Sequence, residues 1–114
     1  MQQSVLMFKA LSDAKRLLML QLITRQQELC VCELTVALEL SQPLVSQLIG
    51  KCRRLGLITG RKEGKWLHYS LAADLPPWFI QLMANLPSSS ELELAEQRLM
   101  QMGNRPERVQ KCCA

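Results

Sequence analysis

The strongest constraint on the fold is a pair of amphipathic segments joined by a short polar turn. Apolar residues recur at helical spacing over residues 32–39, and a second helix starts at Ser41 and Pro43 and ends at Gly56. Serine caps helix starts, proline is tolerated in a first turn, and glycine is frequent just past a helix end. With the small Ala37 at the crossing point, this arrangement predicts a helix-turn-helix, although any antiparallel helical hairpin has the same periodicity.

The next segment favours the helix-turn-helix over another helical hairpin. Residues 57–61 and 65–71 are rich in β-branched and aromatic side chains and flank a plausible turn at Glu63-Gly64. A basic β-hairpin directly after a helix-turn-helix is a wing. We therefore predict a mainly α fold with a β-hairpin wing, a winged helix-turn-helix.

The length of 114 residues fits one domain. We expect residues 1–103 to form it and residues 104–114 to be a flexible tail containing Cys112 and Cys113. The first and last helices carry apolar stripes that a chain of this size has little interior left to cover. We expect them to form the interface of a homodimer, through Leu6, Leu92, Leu99 and Met102.

The charge is concentrated around the predicted motif. Residues 41–70 contain six basic side chains and one acidic side chain, whereas the whole chain has a net charge of +4. Such a patch is typical of a surface that meets a polyanion, and charge alone fits either DNA or RNA. Together with the predicted helix-turn-helix it leads us to expect double-stranded DNA as the partner. The predicted base contacts are Gln42, Ser46 and Gln47, and the predicted phosphate contacts are Lys51, Arg53, Arg61, Lys62 and Lys65.

Five cysteines in a chain without a recognisable secretion signal favour metal binding or redox chemistry over a disulfide framework. No apolar stretch approaches the ~20 residues that a membrane span needs, so we expect a cytoplasmic protein without a membrane partner. One histidine and no nucleophile–base pair or phosphate-binding glycine loop argue against an enzyme.

Three segments resemble the ArsR/SmtB family of bacterial metalloregulatory repressors. They are Glu28-Leu-Cys-Val-Cys-Glu-Leu34, Ser41-Gln-Pro-Leu-Val-Ser46 and Gly64-Lys-Trp-Leu-His-Tyr69, and the likeness covers about residues 5–80. The resemblance implies a homodimeric winged helix that represses an arsenic-resistance operon from an inverted-repeat operator. Repression would end when trivalent arsenic or antimony, As(III) or Sb(III), binds as inducer, with no obligatory cofactor.

By position, Cys30 and Cys32 match the first two cysteines of the family's ion-binding motif. The third cysteine of that motif is replaced here by Thr35. The family's usual Arg-His pair in the recognition helix is replaced by Gln47-Leu48, so other basic residues must supply the affinity for DNA.

The chemistry of the cysteines supports the same assignment. Cys30 and Cys32 stand at a predicted helix start, where the helix dipole favours the thiolate that binds soft ions. Trivalent arsenic needs at most three thiols, and Cys112 or Cys113 is the candidate third ligand. Residues two apart on a helix point about 200° apart, so an ion bridging Cys30 and Cys32 is expected to open the first turn. Cys52 is assigned to packing.

Two other functions stay open. One is a thiol-based redox sensor, or a repressor of the same fold that responds to cadmium, lead or zinc. The other is a thiol-sequestering protein that does not bind DNA.

Overall fold

The computed structural model describes residues 3–112, with only the backbone of Cys112. The chain begins with helices α1 (Gln3–Leu11) and α2 (Ala14–Gln26), followed by the short strand β1 (Leu29–Cys30). Helices α3 (Val31–Leu38) and α4 (Gln42–Arg54) lead into strands β2 (Ile58–Glu63) and β3 (Trp66–Leu71). Helices α5 (Pro77–Asn85), α6 (Ser90–Gln101) and α7 (Glu107–Cys112) complete the fold.

The predicted helix-turn-helix consists of α3 and α4. Glu39 ends α3 in the left-handed conformation (φ 53°), and Ser41 caps α4 by accepting the Leu44 N–H at 3.3 Å. Apolar side chains at helical spacing bury one face of α4: Val45, Leu48, Ile49 and Cys52. The opposite face is left to solvent, as expected for a helix that enters a DNA groove.

The predicted wing is the hairpin of β2 and β3, in which Glu63 pairs with Trp66 across the turn. Gly64 has a φ of +60°, a conformation that glycine adopts without the steric cost of a side chain. The sheet has a third strand that was not predicted, because β1 pairs antiparallel with β3 and aligns Cys30 with His68. The predicted winged helix-turn-helix is confirmed.

The core lies where α2, α3 and α6 meet under the sheet. Leu92 and Leu99 of α6 are buried within the single chain, with exposures of 0% and 1%, while Leu6 and Met102 are half-buried. Side chains already covered by their own chain cannot also cover a partner. Leu92 and Leu99, which were predicted to lie in a dimer interface, are thus part of the core of the single chain.

The C-terminal segment, for which a flexible tail was predicted, contains a helix. Residues 107–112 form α7, which packs on α3, and Arg108 and Val109 are buried. Charged side chains in this segment form ion pairs with acidic residues in the rest of the domain. The polar composition of the segment does not show that these pairs exist. Cys113 lies outside the described residues. No helix in the described part of the chain is long and apolar enough to cross a membrane.

Candidate inducer site and DNA-binding surface

The two cysteines of the E-L-C-V-C-E-L segment lie where β1 passes into α3. Cys30 is the N-cap residue, with extended backbone angles of φ −94° and ψ 169°, and Cys32 is in the first turn. Cys30 therefore already stands outside the helix, and the prediction that an ion must open the first turn loses its premise. A thiol on extended backbone and one on the helix are not held about 200° apart.

The state of the cysteines differs along the chain. Cys30 and Cys52 are thiols, while Cys32 is in a disulfide bond. Burial raises the pKa of Cys52 to about 11, so its thiol stays protonated at neutral pH. This agrees with a packing role for Cys52, since only the thiolate binds soft ions well.

Thr35 does not replace the missing third thiol. Its hydroxyl donates to the carbonyl oxygens of Val31 at 2.7 Å and Cys32 at 3.1 Å, within its own helix. Among the described residues, no group of three or more His, Cys, Asp or Glu side chains could hold a metal ion.

Glu33, one residue after Cys32, connects this site to the C-terminal segment. Its side chain is fully buried, and its Oε1 accepts the backbone N–H of Cys30 at 2.9 Å. The same carboxylate accepts hydrogen bonds from Nη2 and Nε of Arg105 at 3.0 and 3.3 Å, and from Nε of Arg108 at 2.6 Å. A buried carboxylate requires such partners because an unpaired charge in the interior costs several kcal/mol. We call Glu33, Arg105 and Arg108 the arginine clamp.

Arg105 extends this network to the sheet. Its Nη1 donates to Glu28 Oε1 at 3.1 Å, and its Nη2 lies 2.7 Å from Nδ1 of His68. A guanidinium has no acceptor, so Nδ1 must accept and the ring proton resides on Nε2. His68 is buried.

Glu28 also binds Arg61 of the wing. Nε and Nη2 of Arg61 reach the two carboxylate oxygens of Glu28 at 3.0 and 2.7 Å, and Nη1 reaches Glu63 at 3.2 Å. The hydrogen bond from Arg61 lowers the pKa of Glu28 to about 2, with a further contribution from Arg105 and against the effect of burial. Arg61 was predicted to contact phosphate, but here its charge is bound by two acids.

The exposed face of α4 carries the predicted base contacts. Gln42, Ser46 and Gln47 are all exposed, and Ser41 and Pro43 beside them are exposed too. Leu48, which replaces the family's histidine, is buried and packs into the core. The replacement of the family's histidine by Leu48 therefore lies on the buried face of this helix.

The other predicted phosphate contacts lie at the end of α4 and on the wing. Lys51, Arg53, Lys62 and Lys65 are exposed. The Arg53 guanidinium lies 5.9 Å from the centroid of the Tyr69 ring, and the Lys65 ammonium lies 5.9 Å from that of Trp66. Both cations rest against aromatic faces and remain open to solvent, as a phosphate contact requires.

Comparison with known proteins identifies the family. The profile of the family described as "Bacterial regulatory protein, arsR family" matches residues 13–59, which include the helix-turn-helix. The chain is 38% identical over 109 residues to the arsenic resistance transcriptional regulator ArsR1 of Pseudomonas putida, covering 94% of this chain and 85% of the relative. The chain belongs to the ArsR family.

Two further ArsR-family comparisons agree. The arsenical resistance operon repressor of Escherichia coli K12 is 42% identical over 77 residues, which is 68% of this chain and 66% of that repressor. The structure of reduced HlyU from Vibrio cholerae superimposes with a TM-score of 0.66 at 34% identity, over 76% of this chain and 90% of that one. This ArsR-family protein is a winged-helix regulator of transcription rather than an enzyme.

Proposed function

We propose that the protein is a cytoplasmic repressor of an arsenic-resistance operon that releases its operator when As(III) or Sb(III) binds. Cys30 and Cys32 would hold the ion, and Cys112 or Cys113 would supply the third thiolate. The observation that supports this most is the docking of α7 on the first turn of α3 by the arginine clamp. The three thiols of a pyramidal arsenic site would thus come from two segments that the fold holds together.

Release of DNA would follow from the position of the site in the fold. Helix α3 supports α4, because the two helices pack against each other and are joined by the turn at Glu39. Ion binding at the N-terminal end of α3 that shifts this helix would displace the recognition helix relative to the wing. Since DNA and ion favour different positions of α3, each would weaken the binding of the other by the same factor.

The test is displacement of the reduced protein from promoter DNA of its own operon by arsenite, followed by fluorescence anisotropy. Cys32→Ser should still bind DNA but should not release it, because a protonated hydroxyl cannot replace a thiolate. Cys52→Ser is the matched control and should respond like the wild type. A normal arsenite response of Cys32→Ser would place the sensing site elsewhere.

A variant that lacks both tail cysteines addresses the third ligand. Cys112→Ser/Cys113→Ser should bind DNA like the wild type and need more arsenite for release. An unchanged response would show that two protein thiols suffice, with hydroxide or a cellular thiol in the third place.

We propose that the repressor acts as a homodimer on an inverted repeat, with about 34 Å between the two recognition helices. Because Leu92 and Leu99 are buried, the contact must use other apolar residues of the terminal helices. Large exposed candidates are Val5, Phe8, Leu94 and Met100. Phe8→Glu should reduce the dimer fraction in sedimentation velocity, whereas Lys9→Glu should not, and a monomeric wild type at micromolar concentration would refute the dimer.

The disulfide at Cys32 favours a second candidate, a redox-sensing repressor. Oxidation would remove two electrons and two protons from a pair of thiols, with a peroxide or a small disulfide as the oxidant. In that case oxidant would change the affinity for DNA without arsenite, and a reducing thiol would restore it. A DNA affinity that is equal in the oxidised and reduced protein would eliminate this candidate.

A further inference from the structure

Arg61 of the wing has two carboxylate partners, although a phosphate contact needs none. Arg61 and Glu63 lie two positions apart on β2 and therefore on the same face of the hairpin, and Arg61 is aligned with His68 of β3. On this face Arg61 binds both carboxylate oxygens of Glu28 and one of Glu63. We call Glu28, Arg61 and Glu63 the wing cluster. The positive charge of Arg61 is thus balanced within the chain before any DNA is bound.

The wing cluster is open to solvent. About half of the Arg61 side chain and more than half of the Glu63 side chain are exposed. Ion pairs at such exposure are weak, because water competes for both partners. The planar guanidinium fits a phosphate as well as it fits a carboxylate. A DNA phosphate at the wing can therefore take Arg61 from its acids, and Glu28 would keep the hydrogen bond that it accepts from Arg105 at 3.1 Å.

Glu63 has a second group within its reach. Its Oε1 lies 3.5 Å from Nε2 of His68, a buried nitrogen without a hydrogen-bond partner among the residues that the structure describes. Because Nδ1 of His68 accepts from Arg105, Nε2 carries the proton and can only donate. A buried donor without an acceptor is unfavourable. Once Arg61 is released, a rotation of the exposed Glu63 side chain would supply this acceptor.

We infer that the wing cluster is an autoinhibitory contact, in which Glu28 and Glu63 compete with DNA phosphate for Arg61. The inference rests on the proposed function only in that the protein binds DNA, and it adds a second state of the wing. In this state Arg61 binds phosphate and Glu63 pairs with Nε2 of His68. The two acids therefore lower the affinity for DNA, and they are positioning residues that act through Arg61.

Removal of one acid tests the competition. Glu28→Gln should bind the promoter duplex of its own operon about two- to fivefold more tightly for each wing in contact, the factor that an exposed ion pair represents. The slope of log affinity against log salt should steepen by up to about 0.9 for each wing, as for one additional phosphate contact. Both are measured by fluorescence anisotropy of the reduced protein without arsenite. Glu96→Gln, which removes the same charge from an ion pair on α2 and α6, should leave the affinity nearly unchanged.

A double-mutant cycle with Arg61→Ala separates the competition from a general effect of charge. Since Glu28 acts through Arg61, Glu28→Gln should have no further effect on DNA affinity in the Arg61→Ala background. An equal gain in both backgrounds would overturn the inference, because the loss of a negative charge alone would then account for it. If Glu28→Gln does not fold, Glu63→Gln replaces it in the same cycle, because the Glu63 side chain is mostly exposed.

The second state of the wing has a spectroscopic signature. His68 is the only histidine of the chain, so isotope-labelled histidine gives one ring to follow by NMR. When the promoter duplex is added, the Nε2 proton should move downfield and exchange more slowly, because it gains Glu63 as acceptor. In Glu63→Ala the same addition should leave this signal in place. A ring signal that does not change when the wild type binds DNA, or that changes equally in Glu63→Ala, would refute the pairing of Glu63 with His68.

The proposed function and the inference fail in different ways. A wild-type protein that does not bind the promoter duplex would remove both. A wild type that binds the duplex and releases it with arsenite, with Glu28 and Glu63 variants of unchanged affinity and salt slope, would remove only the inference.

Discussion

Replacing Glu33 by glutamine tests the buried carboxylate that joins the two ends of the fold. Glutamine keeps the volume and an oxygen that can accept the Cys30 N–H, but it removes the negative charge that faces Arg105 and Arg108. Removing one partner of a buried ion pair typically costs about 3–5 kcal/mol. Here Arg105 keeps Glu28 and Arg108 keeps two backbone carbonyls, so we expect a smaller loss of about 2–3 kcal/mol in the free energy of unfolding.

The loss is measurable by urea and thermal denaturation of the reduced protein. Near its melting temperature a chain of 114 residues loses about 4 °C per kcal/mol, so Glu33→Gln should melt about 8–12 °C lower. The matched control is Glu96→Gln, which removes an exposed ion pair with Arg25 and should change the free energy by about 1 kcal/mol or less. A change at Glu33 no larger than at Glu96 would show that the clamp is not formed in solution.

Other substitutions test the remaining contacts. Gln47→Ala should weaken operator binding by about 1–3 kcal/mol and relax base preference in a binding-site selection, and an unchanged preference would refute the base contact. Lys62→Ala should reduce the slope of log affinity against log salt by about 0.9, whereas Arg61→Ala should reduce it less, because Arg61 is already bound by two acids. Since the folded-state pKa of Glu28 is about 2 against an ordinary 4.5, its carboxylate stabilises the fold above about pH 4.5 and loses this effect as the pH falls towards 2. Glu28→Gln should therefore reduce the loss of stability on acidification between pH 4.5 and about 2, and an unaltered pH dependence in this range would contradict the ion pair. Leu99→Ala should cost about 2–5 kcal/mol of stability as a core truncation, and a stable but monomeric variant would restore its assignment to the interface.

Local patterns were sufficient to predict the DNA-binding part of the fold. The cap at Ser41, the periodicity of α4 and the glycine turn at Gly64 each act within a few residues of the chain, and each has the predicted effect. The strand β1 was missed because two residues carry no periodicity, and its partner β3 lies almost 40 residues further along.

Only the part of the candidate site at the start of α3 was predicted from the sequence. Cys30 and Cys32 were recognisable from their spacing, but the arginines that bind the neighbouring Glu33 lie more than 70 positions further along the chain. Two features of the sequence point to these contacts. One is a glutamate in an otherwise apolar helix start, and the other is a pair of arginines in a segment that also contains a valine. The burial of Leu92 and Leu99 within the chain was missed for a related reason, since periodicity shows that they face something apolar without showing whether it belongs to the same chain.

The separation of 75 residues between Glu33 and Arg108 also has a kinetic consequence. Closing this loop costs about as much chain entropy as the contact between Arg98 and Ala37, 61 positions apart, so we expect the short α7 to dock on α3 once α6 has packed there. We expect the same junction to open in a local fluctuation that leaves the core intact. The backbone amide of Cys30, which is protected by Glu33, should then exchange its hydrogen with solvent faster than amides in the middle of α2. We expect the exchange rate of this amide to report how often α7 undocks from α3.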